Sequence, residues 1–312
     1  MTGAAKPALA AELIAVVVAA NEDAPRILTV ADGKALPSGP FESSHRSLQS
    51  GLRAWVEEQT GHPLGYVEQL YTFADRDRTA GEGMRRTISI SYLGLTREAP
   101  TSAVAGASFQ DWYRYFPWED RREGPPQGVA TPIATPIAAE IARGLRSWAR
   151  AAPTPSLRRE RSERAALSFG LGGQGWNEEF SLQRYELLYE AGLVAEAGGP
   201  LLGAAMLHDH RRILATGIAR LRAKIKYRPV VFELMPPAFT LLALQRVVEA
   251  LAGVRLHKQN FRRLIARQAL VEETGAMIAE TGGRPARLFR FRGAVLRERA
   301  LAGARLPLAQ PR

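Results

Sequence analysis

Near the C-terminus, apolar positions recur with helical spacing. Leu241, Leu244, Val247, Val248 and Leu251 form one stripe between Thr240, which can cap a helix, and Gly253, which can stop it. A turn of about three residues is expected next, then a second amphipathic helix with Phe261, Leu264 and Ile265 on its apolar side. Gln259, Arg262, Arg263, Ala266 and Arg267 fall on the opposite side of that helical wheel. Residues 270–274 and 288–292 then read as two short strands joined by a Gly- and Arg-rich loop. Helix, tight turn, basic helix and two-stranded wing, in that order, predict a winged helix-turn-helix over 226–300.

Toward the N-terminus the period changes to that of strands. Residues 13–19, the turn NEDAP and residues 26–30 predict a hairpin, and Val16, Val17 and Val18 favour strand over helix. Leu48, Leu52, Trp55 and Val56 make a helical stripe ended by Gly61, followed by strands at 66–73 and 87–96 around the charged loop DRDRTAGEGMRR. From about residue 100 to 204 the pattern is an insertion. DWYRYFPWEDRR packs five aromatics into seven positions; it suits a dimer or base-stacking surface, but a satellite core under a loop is the preferred reading. Pro-rich GPPQGVATPIATP and AAPTPS flank a helix at 137–150, and RRERSER reads as a solvated helix face. Asn177 should cap a helix carrying Tyr185, Leu188 and Tyr189 that Gly192 stops. A helix at 213–224 runs into KYRPVVFEL and should couple the two halves.

Two motifs are decoys. Gly170, Gly172 and Gly175 spell G-x-G-x-x-G, but a dinucleotide-binding turn needs a buried strand before it, and the residues here are highly charged. His208 and His210, two apart on a helix, point to different faces, so a helix cap is the expected role of His208-Asp209-His210 rather than metal ligation.

Composition narrows the function. Residues 226–300 hold 14 Lys or Arg, 6 Glu and no Asp, a net +8 out of +11 for the whole chain of 312 residues. A basic helix alone is more often a solvated face; followed by RPARLFRFR, it reads as a surface for a phosphate backbone. Gln259, Asn260, Arg262, Arg263 and Arg267 are the expected groove contacts, with Lys258, Arg284 and Arg287 on or near phosphate. A single-strand RNA reader is disfavoured, because no aromatic platform lies within the basic surface. The chain has no cysteine, which excludes disulfides, thiolate nucleophiles and Cys-type zinc sites. The apolar run after Lys6 is broken by Glu12 and too short for a signal or membrane helix, so a cytoplasmic location is expected.

The front half resembles the Nudix fold through EQTGHPLGYVEQLYTFADRDR and SISYLGLTRE. With the closing glycine of the Nudix box on Gly61, the box's Arg-Glu pair falls on Ala54 and Trp55, its Glu-Glu pair on Glu58 and Gln59, its upstream glutamate on Arg46 and its leading glycine on Pro40. Hard Mg²⁺ needs several carboxylate oxygens to activate water at a diphosphate, and Glu58 alone is a poor site. The expectation is a retained pocket without hydrolysis. An active hydrolase of ADP-ribose-like nucleoside diphosphates with a regulatory C-terminal domain is the alternative.

Together with KYRPVVFELMPPAFTLLALQRVVEALAGVRLHKQNFRRLI and GGRPARLFRFR, this front resembles the Nudix-related regulators of NAD metabolism, the NrtR family, in its alphaproteobacterial branch. The resemblance implies a homodimeric repressor of NAD biosynthesis or salvage genes on a palindromic double-stranded operator, with activation as the other sign of control. It implies no required cofactor but a nucleotide effector, ADP-ribose, NAD or ATP, bordered by Phe73, Arg78 and Arg86 together with Glu58. The expected fold class is α+β: a Nudix-like α/β/α sandwich at 11–225 with a helical insertion, a C-terminal winged helix-turn-helix at 226–300, and tails at 1–10 and 301–312.

Overall fold

The computed structural model describes residues 10–74, 87–98, 104–123, 136–200, 202–279 and 285–294. The front half is built on a mixed six-stranded sheet. Its strands are β1 (Ala10–Ala20), β2 (Pro25–Thr29), β3 (Ser38–Pro40), β4 (Tyr66–Phe73), β5 (Thr87–Leu95) and β6 (Ser108–Asp111). They run in the order β4-β5-β1-β2-β6, with β3 paired to β1. β1 and β5 are parallel from Ala10↔Thr87 to Val18↔Leu95, while β1–β2, β1–β3, β2–β6 and β4–β5 are antiparallel.

β1 is central and buried on both faces, which is why it reads as a near-continuous apolar run. Leu13, Ala15 and Val17 face helix α1 (Leu48–Thr60), which packs Leu52 and Val56 against them. Ser47 caps α1 by accepting from the Ser50 amide, and Gly61 ends it at φ 65, as its position after the stripe predicts. Ile14, Val16 and Val18 face the opposite way, into the larger core around Ile213, Leu214, Ile218 and Leu221.

The insertion supplies α2 (Pro136–Arg150), α3 (Pro155–Phe169) and α4 (Ser181–Glu190). Gly170 is the left-handed cap of α3, so the G-x-G-x-x-G motif follows a helix and not a strand. Asn177 caps a short 3-10 turn, Glu178–Phe180, that leads into α4. The aromatic run does not form a satellite core: Trp112, Tyr115 and Phe116 are fully buried in the main core, beside Tyr185 and the helix that follows the insertion.

That helix is α5 (His210–Ile225). Gly217 lets it press on the sheet, since any Cβ there would strike Val16. The expected capping role of His208-Asp209-His210 is not what the structure shows. Asp209 precedes α5 without a side-chain capping bond and pairs with Arg212 at 3.1 Å. His210 is buried, and its Nδ1 accepts from the Leu36 amide at 2.8 Å. Burial, with the nearby His208, pushes His210 down to about 4, so it stays neutral to hold that acceptor. Its folded pKa lies below the ordinary histidine value of 6.5, so the stabilisation is complete above that value and declines as pH falls toward about 4. Urea denaturation from pH 7 to 4 is expected to show a falling stability whose slope flattens in His210→Gln.

The C-terminal module has α6 (Leu241–Ala252), α7 (Lys258–Gln268), β7 (Val271–Ile278) and β8 (Ala286–Phe291). Thr240 accepts from the Ala243 amide and Gly253 ends α6 at φ 73. The wing strands are longer than the apolar pattern indicates, and a bulge between Glu273 and Met277 interrupts their pairing. Phe291 stacks on Phe232 at 4.4 Å and Phe289 bridges to Phe239, fastening the wing to the segment that leads out of α5.

Candidate nucleic-acid interface and its attachment to the front domain

Helix α7 buries Phe261 and Ile265 and leaves the rest of its surface open. Lys258, Gln259, Asn260, Arg262, Arg263, Ala266 and Arg267 are all exposed. The apolar stripe is narrower than its sequence reads: Leu264 is 51% exposed. Arg263 donates to Asn260 one turn back at 3.1 Å, a neutral acceptor that leaves its charge uncompensated. His257 provides no side-chain cap and the first turn holds no acid, so the N-terminus of α7, with Lys258 on it, is electropositive.

On the wing, Arg287 pairs with Glu273 at 2.8 Å and Arg290 with Glu272 at 2.7 Å. Both pairs are open to solvent, where an ion pair contributes only ~0–1 kcal/mol, so neither arginine is committed. Arg284 lies outside the described residues.

The turn between α6 and α7 takes five residues, Gly253 to His257, rather than about three. Buried polar groups shape it. Glu249 accepts from the Leu256 amide at 2.9 Å and from Gln245 at 2.9 Å, and Gln245 also donates to the Leu256 carbonyl at 3.1 Å. Both side chains sit within the α6 apolar pattern, where sequence spacing gave them no role.

The C-terminal end of α6 is held by the front domain. Tyr113 donates to the Ala250 carbonyl at 2.6 Å, and Arg222 of α5 donates to the Leu251 carbonyl at 2.8 Å. The Arg121 amide donates to the Gly253 carbonyl at 2.8 Å, and Arg255 reaches the Arg122 carbonyl at 3.1 Å. The Ala250, Leu251 and Gly253 carbonyls are ones that a helix terminus leaves unpaired. A Cβ on Gly253 would strike the Glu119 carbonyl, so the cap must be glycine for space as well as for φ.

Behind this grip lies a fully buried charge cluster. Glu119 accepts from Arg184 at 2.6 and 2.8 Å, from Ser181 at 3.2 Å and from Arg222. Burial alone would raise the Glu119 carboxyl, yet the two guanidinium groups hold it below the usual range. A cleft of about 870 Å³ separates the β1–β2 turn from the winged helix, with Arg26 and Glu98 on one wall and Met235 and Phe239 on the other. Arg246 and Glu22 bridge the two bodies at 2.7 Å.

In the front domain, two of the positions aligned with the Nudix-box acids, Trp55 and Gln59, have structural partners. Trp55 lies over Gly39 and donates to the Pro40 carbonyl at 2.9 Å. Gln59 clamps Ser38, accepting from its amide at 3.1 Å and donating to its carbonyl at 2.7 Å. These residues fasten α1 to β3, and they do not supply the oxygen ligands that Mg²⁺ needs; the set does not fit the metal. Among the described residues no three His, Asp or Glu converge as metal ligands would.

Of the expected effector residues, Glu58 and Phe73 are not brought together. Glu58 is exposed on α1, whereas Phe73 is buried on the α5 side of the sheet with the Arg212 guanidinium 4.9 Å from its ring. Phe73 does end a cross-strand row, pairing with Ser89, which pairs with Glu12, which pairs with Pro40. Glu12, Ser89 and Pro40 line a cleft of about 280 Å³ together with His208, Asp209 and His210. Arg78 and Arg86 lie outside the described residues. Among the described residues no helix is long and apolar enough to cross a membrane.

Comparison with known proteins follows this division. The NrtR DNA-binding winged helix domain family matches residues 231–291. An 84-residue stretch is 44% identical to the ADPR responsive transcriptional repressor NtrR of Acinetobacter baylyi (strain ATCC 33305 / BD413 / ADP1), and it covers 27% of this chain and 33% of that protein. The fold is similar to Shewanella oneidensis NrtR complexed with a 27mer DNA, at TM-score 0.55 and 17% identity over 91% of this chain and 94% of that one. It is also similar to a MutT/nudix family protein from Enterococcus faecalis, at TM-score 0.50 and 16% identity over 94% of this chain and 89% of that one. Residues 231–291 thus match the NrtR DNA-binding winged helix domain, and the chain carries that module behind a domain of Nudix-like fold.

Proposed function

We propose that this protein is a DNA-binding repressor of NAD biosynthesis or salvage genes, controlled by a nucleotide in a front domain that no longer hydrolyses one. The observation that carries this reading is α7, which buries its apolar side and turns Lys258, Gln259, Arg262, Arg263 and Arg267 outward. A helix presented in this way can enter a major groove, with its electropositive N-terminus near phosphate. Gln259, Asn260, Arg262, Arg263 and Arg267 read bases; Lys258, Arg284 and Arg287 grip the backbone. The Acinetobacter relative is named an ADPR responsive repressor, and the Shewanella neighbour was crystallised with DNA. A homodimer on a palindromic site would place one α7 in each half-site.

The effector, ADP-ribose, NAD or ATP, occupies the end of the sheet marked by the row from Phe73 to Pro40, with Arg78 and Arg86 as its phosphate ligands. Glu58, on the other face, is left out of this site. Arginine suits the role because its planar fork donates two parallel hydrogen bonds to phosphate. Control requires that the ligand bind two arrangements of the winged helices unequally. Gel shifts on DNA upstream of NAD biosynthesis genes, repeated with each nucleotide, test the reading: one nucleotide should change the affinity, and indifference to all three would oppose it.

Loss of hydrolysis rests on Trp55 and Gln59 standing where carboxylates would be needed. Incubation with ADP-ribose and Mg²⁺ is expected to release no AMP above the protein-free rate. Turnover that Glu58→Gln abolishes would instead establish the hydrolase alternative.

A further inference from the structure

The insertion contains a third cavity, apart from the α7 surface and from the Phe73 row. It measures about 270 Å³ and lies between the aromatic run, the start of α2 and the loop after α3. Its walls are apolar: Ile137, Ile141, Phe169 and Leu171, with the indoles of Trp118 and Trp176.

Its donors are on Trp118, Arg121 and Trp176; its carboxylates are Asp120 and Glu123, the latter exposed to solvent. Trp118 is 5% exposed, and neither its indole N–H nor that of Trp176 has an acceptor among the described residues. Arg121 also lines the cavity. Its guanidinium is half-buried, lies 4.3 Å from the Trp176 ring and feels the Glu119 charge, but makes no side-chain hydrogen bond among the described residues. Asp120 on the same wall is already engaged by Arg122, at 2.9 and 2.7 Å. A buried donor left unpaired costs ~1–3 kcal/mol, so the two indole N–H groups, with the Arg121 charge beside them, are matched by a ligand that brings acceptors.

We propose that this cavity binds a small planar aromatic carboxylate. The carboxylate receives the Arg121 fork and an indole N–H; the ring lies among the apolar walls. The volume is just under the usual range of about 300–1,000 Å³ for drug-sized ligands, which suits a single ring. The site also touches the grip on the winged helix, because the Arg121 amide donates to the Gly253 carbonyl at the end of α6. A ligand that fixes Arg121 acts on that grip.

Benzoate and its uncharged isostere benzamide serve as probes of the full-length protein. The chain has 5 tryptophans, whose indole N–H signals can be followed by NMR. Benzoate is expected to shift two of them saturably, the two missing from Trp118→Phe and Trp176→Phe. Benzamide should bind at least tenfold more weakly. Arg121→Gln, which keeps the backbone bond to Gly253, should weaken benzoate at least tenfold. Should that variant not fold, benzoate affinity in the two tryptophan variants decides, with a loss of several-fold expected in each. Absence of saturable shifts at millimolar benzoate means that the donors are satisfied within the chain, and the proposal falls. Shifts confined to the other three indoles, or affinity unchanged in all variants, also overturn it. The readout uses no DNA, so its failure is separate from failure of the repressor reading.

Discussion

Replacing Glu119 by Gln is expected to destabilise the protein by about 3–5 kcal/mol, the scale for removing one partner of a buried ion pair. The magnitude follows from what remains. Arg184 and Arg222 are both fully buried, and Glu119 is the carboxylate they share. Without its charge, two guanidinium groups sit together in a low-dielectric interior with only carbonyls and the Ser181 and Tyr113 hydroxyls to accept from them. The exposed Arg246–Glu22 pair is the contrast: its loss should cost ~0–1 kcal/mol. Denaturant titration of Glu119→Gln and Glu22→Gln measures both. Glu119 titrates below the usual carboxylate range when folded, so its contribution is present at neutral pH and is lost as pH falls through that lowered value. Since Arg222 also donates to the Leu251 carbonyl, amide hydrogen exchange at the end of α6 should rise in the same variant. Equal stability of wild type and Glu119→Gln would mean that the cluster does not fasten the winged helix.

The second large effect is on DNA. Alanine at Arg262, Arg263 or Arg267 is expected to cost ~1–3 kcal/mol of sequence-specific binding each. Their combination should leave only weak binding that falls steeply with salt. Arg263 is the sharpest case, because Asn260 already orients its guanidinium. Arg263→Ala should weaken operator binding far more than binding to random duplex. Lys258→Ala should weaken both alike and lower the salt slope by ~0.9, as loss of one phosphate contact does. Arg287→Ala should fall below either, since Arg287 exchanges its partner Glu273 for phosphate instead of arriving free. Fluorescence anisotropy on both duplexes across a salt series separates these outcomes.

What the sequence made legible was local. Periodicity and caps placed α1 and α6 within a residue, because Thr240, Gly61 and Gly253 act within one turn of where they stand. The run Val16, Val17, Val18 marked β1 as a strand for the same reason. The basic side of α7 was legible too, although Leu264 was assigned to the apolar side when only Phe261 and Ile265 are covered.

What escaped was long-range. Arg184 and Arg222 lie 65 and 103 positions from Glu119, and no pattern marks an arginine that will be buried. The aromatic run from Trp112 to Trp118 was read as a satellite because its place under α5 and α6 depends on that network. Glu58 and Phe73 were grouped by resemblance, and sheet topology puts them on opposite faces. The resemblance did identify the altered box, but not that Trp55 and Gln59 had become fasteners for β3.

The central claim is that the outward face of α7 reads a defined DNA sequence. Selection by the full-length protein from a pool of random duplexes tests this most directly. The expected result is enrichment of an inverted repeat that disappears in the Arg262→Ala, Arg263→Ala, Arg267→Ala triple variant. Enrichment of no sequence, or of a motif that the triple variant still selects, would contradict it.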